Sequence, residues 1–326
     1  MTEGTFLAEI FEHFFDPKKR VFFGYLLVSI FLALGWLVFF RNKSFKKAIT
    51  KIFDTKILFS RSARADYKVF LINRVFMIFL SPHLLSQMVV ATSIYYFLHS
   101  IPLFKTSHFP EIPANAVALL FTLSYFIFDD FTKYWVHRFM HKWPVLWALH
   151  KVHHSAETLN PITVYRTHPL EGVVFSIRGA FTQGIVISFF IYVFGNKVDL
   201  VTILGVNVFV FAFHIAGSNL RHSHIGIQYW TWLEKLIISP AQHQLHHSID
   251  LRHYDKNFGA TLALWDWIFG SLHHSEDVDS LVLGIEEDHI DHQSLRDLYI
   301  HPLKEILQIS LNGVRGVKSI FTIFKT

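Results

Sequence analysis

The sequence predicts an all-α fold, a multi-pass bundle of membrane helices carrying a histidine-rich helical cap on its cytoplasmic side. Three observations predict it. Of 326 residues, 52% are hydrophobic and 17% aromatic, with 35 phenylalanines and a mean hydropathy of +0.34. That load exceeds what a water-soluble domain of this length carries. Uncharged runs reach 18 residues or more, enough to cross a bilayer as a helix. Finally, 15 of the 22 histidines fall between His137 and His274, most of them in tight clusters.

The elements follow in order. Residues 1–20 are aromatic and acidic, ending in Lys18, Lys19 and Arg20, and lead into residues 21–40, which hold no charge. A cleaved leader would have a shorter apolar core nearer the start, so this reads as a retained first span. Residues 41–68 carry nine Lys/Arg against Asp54 and Asp66, with Phe45, Ile49, Ile52 and Phe53 on one helical side. Such a stretch lies flat on an anionic membrane face. Residues 75–104 form a span or helical hairpin, with a turn or kink at Pro82-His83. Residues 112–128 are a third apolar stretch, ending at Asp129-Asp130. Residues 179–196 and 200–220 are a fourth and fifth, joined at Gly195-Asn196-Lys197 as a hairpin. Residues 302–326 read as an amphipathic surface helix.

The positive-inside bias places the nine-charge segment in the cytoplasm. The 105–111 connection and the Lys197 turn, with few charges, then face out. Counted from there, all the histidine clusters emerge on the cytoplasmic side, with Tyr229, Trp230 and Trp232 as an interfacial belt. The chain divides into residues 1–68 (first span and basic segment), 69–119 (membrane helices), 120–274 (histidine-bearing region) and 275–326 (tail).

The clusters are His137-x-x-x-His141, His150-x-x-His153-His154 and His243-x-x-His246-His247. Positions i, i+3 and i+4 share one face of a helix. Eight imidazoles can therefore converge from three short segments, enough for two metal ions. The alternatives are a pH-sensing cluster or an interfacial polar stripe, and a stripe would not need the adjacent pair His153-His154 to recur as His246-His247. His222, after the last span, is a candidate ninth ligand; His214 and His224 are weaker ones. His168, Asp130 and Asn257 are candidates to orient a ligand or substrate, as are Asp129, Glu171, Asp250 and Asp255, since a ligating histidine passes its second N–H to an acceptor. His253, His273 and His274 read as surface residues, and His289 and His292 as part of an acidic tail.

Other chemistries are excluded or unsupported. With no cysteine there is no disulfide, thiolate zinc site, iron–sulfur cluster or thiol nucleophile. A formal charge of +5, without an arginine-rich groove, points to lipid headgroups and not to nucleic acid.

Roughly residues 120–274 resemble the membrane-bound fatty acid hydroxylase and sterol desaturase superfamily. The likeness rests on Asp130 to His141 with its Trp135-Val136-His137-Arg138 core, Trp147 to Ser155, Asn160-Pro161 and His168-Pro169-Leu170-Glu171. It continues through Ser239 to Ser248, Asp255 to Gly259 and Leu264 to Gly270. The sterol desaturase-like and alkylglycerol monooxygenase-like branches look most similar. The resemblance implies a dinuclear iron centre on the eight clustered histidines, with His222-Ser223 matching the intermediate ligand at a one-residue offset. It also implies O2 as co-substrate, a lipid substrate and electrons from a partner. No dinucleotide fingerprint or haem-attachment motif is present, so the donor is a separate cytochrome, ferredoxin or reductase. All-imidazole ligation also suits zinc, and a non-catalytic zinc-binding membrane protein is the alternative. A transporter would hold its ligands within spans, where only His214 comes close. The choice among sterol, acyl chain, ether lipid and carotenoid, and between hydroxylation and desaturation, stays open, as does a bacterial inner membrane against the endoplasmic reticulum.

Overall fold

The computed structural model describes residues 3–84, 86–101, 111–278, 280–286 and 290–323. Most of the 105–111 connection, His289 and residues 324–326 lie outside them. After α1 (Glu3–Phe15) comes α2 (Phe23–Gly35), prolonged by a π-helical turn, Trp36–Phe40. Phe22 to Phe40 contains no proline and no charge, so nothing interrupts the helix. Tyr25, Ser29 and Ala33 recur every four residues and are its buried stripe, while Phe23, Phe31 and Phe39 face outward. A row of exposed phenylalanines is what lipid contact requires and water disfavours.

The basic segment folds as expected into short helices, α3 (Phe45–Ile52), capped by Ser44, and α4 (Thr55–Leu58), capped by Asp54. Ala48 and Ile52 of α3 pack on Leu37 and Leu220, and Phe45 and Phe53 stay exposed. Next, α5 (Arg61–Leu80) starts at a Ser60 cap, inside the basic segment, and runs on into the second apolar stretch. Pro82 ends it through a 3-10 turn at Ser81–His83, and α6 (Gln87–Ser100) follows. The kink is thus a helix break. At 1.5 Å per residue, 14 residues of α6 reach only about 21 Å of a roughly 30 Å hydrocarbon core.

Among the described residues three helices are long and apolar enough to span: Phe23–Phe40, Ala114–Lys142 and Pro169–Lys197. The second is α7 (Ala114–Lys142), followed by α8 (Pro144–His154) and, after a 3-10 turn at Pro161–Tyr165, by α9 (Pro169–Phe194). Val117 and Phe121 of α7 pack on Val186, Phe190 and Phe194 of α9. Asp129 and Asp130 do not end the apolar helix; α7 continues through them and carries His137 and His141 on its last turns.

The fifth apolar stretch differs from its expectation. Residues 200–220 hold a two-stranded hairpin, β1 (Thr202–Ile203) with β2 (Val206–Asn207), then the eight-residue α10 (Val208–Ile215), then a 3-10 turn at Ser218–His222. Leu204, Gly205 and Gly217 all sit at positive φ, which no helix tolerates. About 12 Å of α10 cannot cross a bilayer. The chain returns along α7 instead: the Val201 amide donates to Thr122 Oγ1 and Asn207 Nδ2 to the Thr122 carbonyl. Irregular backbone among apolar helices is stable only when its polar groups are satisfied inside the protein in this way.

Helix α6 lies against α9 at Gly184. A Cβ there would meet Val90 Cγ1 at 2.7 Å and the Ala91 amide nitrogen at 3.0 Å, and Ser188 Oγ donates to the Ala91 carbonyl nearby. Gly184→Val is therefore expected to cost about 1–3 kcal/mol by overpacking, read as a lower melting temperature in detergent. An unchanged melt would show that the two helices do not touch there.

The segment after Asn207 closes the cap with α11 (Pro240–His246), α12 (Leu264–Ile268) and α13 (Leu295–Ile323). Leu298 of α13 packs on Ala65 and Val69 of α5 and Val152 of α8. Helix α2 and the residues just before it touch the segment that carries His222. Arg20 donates to the Ser218 carbonyl, and Ala33 and Leu37 pack against Leu220 and Ile225.

Candidate metal centre

Each histidine is placed by an element whose sequence explains it. Helix α8 opens with Pro144 at its first position, where the missing N–H is unneeded. Its last two turns present His150, His153 and His154, all buried. Helix α11 opens with a capping box, Ser239 to Gln242 and back, with Pro240 inside it. That start fixes the phase at which His243, His246 and His247 face inward. The 3-10 turn at Ser218–His222 supplies His222.

The nine rings form two sets: His137, His141, His150, His154 and His246, and His153, His222, His243 and His247. Within each set one ring nitrogen from every residue lies within 4.8 Å of the others. The sets adjoin, with His154 stacked on His247 at 4.5 Å between ring centres.

The hydrogen bonds say what the rings are arranged to hold. His137 Nδ1 donates to the Phe258 carbonyl and His246 Nδ1 to the Lys256 carbonyl, each at 2.7 Å. Each ring's second nitrogen is then a bare lone pair, and the two face each other at 3.0 Å. His222 Nε2 lies 3.1 Å from His153 Nε2 and 3.0 Å from His243 Nε2, and the Nδ1 atoms of His153 and His243 have no partner. Buried nitrogens of His141, His150, His154 and His247 have no partner at all. Facing lone pairs repel unless a cation lies between them. Metal–nitrogen bonds of about 2.1 Å put neighbouring ligand nitrogens roughly 3.0–3.4 Å apart, so the rings fit metal ions.

A shared proton is a poor substitute. Burial, reinforced by neighbouring imidazoles, holds His153, His154, His243 and His247 well below the ordinary histidine range. Burial and then the Arg20 charge do the same to His222, and burial pushes His246 down to about 3. The fold therefore takes up no proton on these six rings where an unfolded chain would, near pH 6.5. Stability from them is complete above that value and is lost as pH falls toward 3, at up to about 1.4 kcal/mol per ring per pH unit. Metal-free protein is accordingly expected to melt at a lower temperature at pH 5.5 than at pH 7.5. A melt independent of pH would contradict the burial of neutral rings.

Of the carboxylates singled out in the sequence, Glu171 touches a ring: its Oε1 accepts from His150 Nδ1 at 2.9 Å. Asp130 instead accepts the Thr261 and Leu262 amides and Trp265 Nε1, fastening the 261–265 loop to α7. Asp129 pairs with Arg178 and Lys133, Asp255 with Lys142, and Asp250 caps a 3-10 turn. His168 caps α9 and lies by the Tyr299 carbonyl; His214 contacts Ser218 Oγ, and His224 donates to the Lys51 carbonyl. None of these three joins either set. Asn257 bridges the Gln242 carbonyl and the His273 amide, positioning the turn whose carbonyls orient His246 and His137.

Several contributors were given no role in the sequence reading. The Lys256 and Phe258 carbonyls are backbone. Asp266 accepts from the Phe258 and Gly259 amides and Ser271 Oγ, holding that turn, and burial pushes its carboxyl up to about 6. Arg20 Nη2 lies 3.3 Å from His222 Nδ1. Two cavities flank the rings. One of about 270 Å³ is lined by His141, His154, His247 and Trp147, and one of about 350 Å³ by His137, His153, His222, Lys133 and Phe175.

Residues 122–271, which include all nine histidines, match the family model described as fatty acid hydroxylase. Over that segment, a little under half of its length, the chain resembles the fatty acid hydroxylase family. Over 187 residues the chain is 29% identical to alkylglycerol monooxygenase of Danio rerio, covering 55% of this chain and 35% of the relative. It is 29% identical over 150 residues to a Delta(7)-sterol 5(6)-desaturase of Gibberella zeae, covering 46% and 41%. It is also 29% identical over 169 residues to lathosterol oxidase of Mus musculus, covering 50% and 49%. The chain thus spans from about a third to half the length of these curated relatives. No solved structure matches it.

Proposed function

We propose that the chain is a membrane-bound oxidoreductase that uses O2 to hydroxylate or desaturate a lipid at a dinuclear iron centre held by the nine histidines. The observation that carries this reading is the pair of converging, largely buried imidazole sets within a segment that matches the fatty acid hydroxylase family. Two irons bound there would supply the oxidising power that side chains lack for an unactivated C–H bond. The chain's own residues hold His137, His246 and His150 in one tautomer through Phe258, Lys256 and Glu171, and limit water by burial.

The relatives' names, an alkylglycerol monooxygenase, a sterol desaturase and a lathosterol oxidase, make an ether lipid or a sterol the first substrates to try. A lipid tail would lie against the exposed phenylalanines of the spans and reach the rings through the 350 Å³ cavity, whose lining includes Phe175 of α9. Electrons would come from a separate cytochrome, ferredoxin or reductase. On the charge bias of the basic segment the histidine cap is cytoplasmic, in a bacterial inner membrane or the endoplasmic reticulum. Residues 120–274 would form the catalytic region.

The test is oxygen uptake by iron-loaded protein with a reductant, offered an alkylglycerol, a sterol or a fatty acyl lipid. Lipid-dependent uptake with a product heavier by one oxygen, or lighter by two hydrogens, is expected. Stoichiometric zinc that iron cannot displace, with no uptake, would favour the non-catalytic alternative.

A further inference from the structure

We propose that the chain holds a further metal ion, a divalent cation of the zinc class, on His253, His273 and Glu276, separate from the nine-histidine centre. One ligand atom from each of the three lies within 4.8 Å of the others. His253 is 2% exposed, and neither of its ring nitrogens has a partner. A buried imidazole normally satisfies at least one nitrogen, and leaving both unpaired carries a full desolvation penalty. Its ring instead faces His273, 5.3 Å away between centres and nearly perpendicular.

His273 is already set as a ligand. Its Nδ1 donates to the His274 carbonyl at 2.8 Å, leaving the Nε2 lone pair directed at Glu276 Oε1, 3.7 Å away. Zinc–ligand bonds of about 2.0–2.2 Å need ligand separations of roughly 3.4 Å, so a small closure completes the set. Two histidines and one glutamate are a known zinc donor combination, with water in the fourth position. A cavity of about 370 Å³, lined by His253 and Glu276, gives that water room.

The charges around the cavity favour a cation. Asp250, Glu276 and Asp277 line it along with Arg252, which is engaged by Asp250 at 2.7 Å and lies 4.0 Å from the other Glu276 oxygen. Asp277 is paired with Arg41. His273 and Glu276 fall beyond the family-matched residues 122–271, so this cluster is not part of the matched segment's nine-histidine set.

The ion's role would be a clamp. His253 ends the turn that follows α11, and His273 belongs to the segment paired with Asn257 through its own amide. Between them run Lys256 and Phe258, whose carbonyls orient His246 and His137. Tying residues 253 and 273 together would fix that turn.

The test is metal stoichiometry by mass spectrometry on the tag-free full-length protein, stripped by chelator, reloaded with zinc and dialysed. His253→Asn and the more exposed His273→Gln are each expected to bind one ion fewer than the unaltered chain. His246→Ala, which breaks the nine-histidine set, should retain this ion. If His253→Asn fails to fold, His273→Gln alone decides. A His273→Gln protein that binds as many ions as the unaltered chain would overturn the proposal, whatever becomes of the iron centre.

Discussion

Replacing His246 or His153 with alanine is expected to lower lipid oxidation by more than about 100-fold while the protein still inserts and folds. Disturbing a residue that only orients a ligand costs about 10–100-fold in affinity or activity, and these two are argued to be ligands themselves. His246 belongs to the five-ring set and His153 to the four-ring set, so each variant strips one metal position. His224→Ala is the control. Its ring is half-buried and donates to the Lys51 carbonyl, outside both sets, so less than about a tenfold loss is expected. Initial rates in detergent or nanodiscs decide the matter. Equal losses in His224→Ala and His246→Ala would mean that the cap tolerates no change at all, and the ligand assignment would fail.

The second large effect concerns stability. Arg166 and Asp66 are both fully buried, and Arg166 Nη1 meets Asp66 Oδ1 at 2.9 Å. Asn160 Nδ2 and Thr163 Oγ1 donate to the other Asp66 oxygen. Arg166 also donates to the Val152 carbonyl, Ser155 Oγ and the His292 carbonyl. One guanidinium therefore ties α5, the end of α8 just past His154, and the chain before α13. Asp66→Ala leaves that charge buried without its counter-ion, at an expected cost of about 3–5 kcal/mol. Adding Arg166→Met to Asp66→Ala should recover part of the loss, because the uncompensated charge is gone. Denaturant melts of the two variants give the answer, and a double variant no better than the single one would contradict the uncompensated charge as the source of the loss.

The site was more legible than the path of the chain that builds it. Histidines at i, i+3 and i+4 declare themselves because a helix puts them on one face, and the eight clustered rings do converge. His222 is harder to see, since it sits in a 3-10 turn where no helical period applies. Hydropathy misread residues 200–220 because it averages over side chains and is blind to left-handed backbone at Leu204, Gly205 and Gly217. The glycines and Asn207 were the available signal, as turn formers inside an apolar run. Asp130 was expected to orient a ring because it precedes the first cluster; seven residues along α7 it points elsewhere, at the 261–265 loop. His253 and His273 read as surface residues in the sequence, where twenty residues separate them. The turn built on Asn257 and Asp266 closes that gap, and no local spacing encodes it.

The central claim is that the two imidazole sets hold two irons. Metal analysis of protein purified anaerobically from iron-supplied cells tests it most directly. About two irons per chain that oxidise on exposure to O2 are expected, with iron lost from His153→Ala and from His246→Ala. Protein without iron, or with iron content untouched by both substitutions, would contradict it.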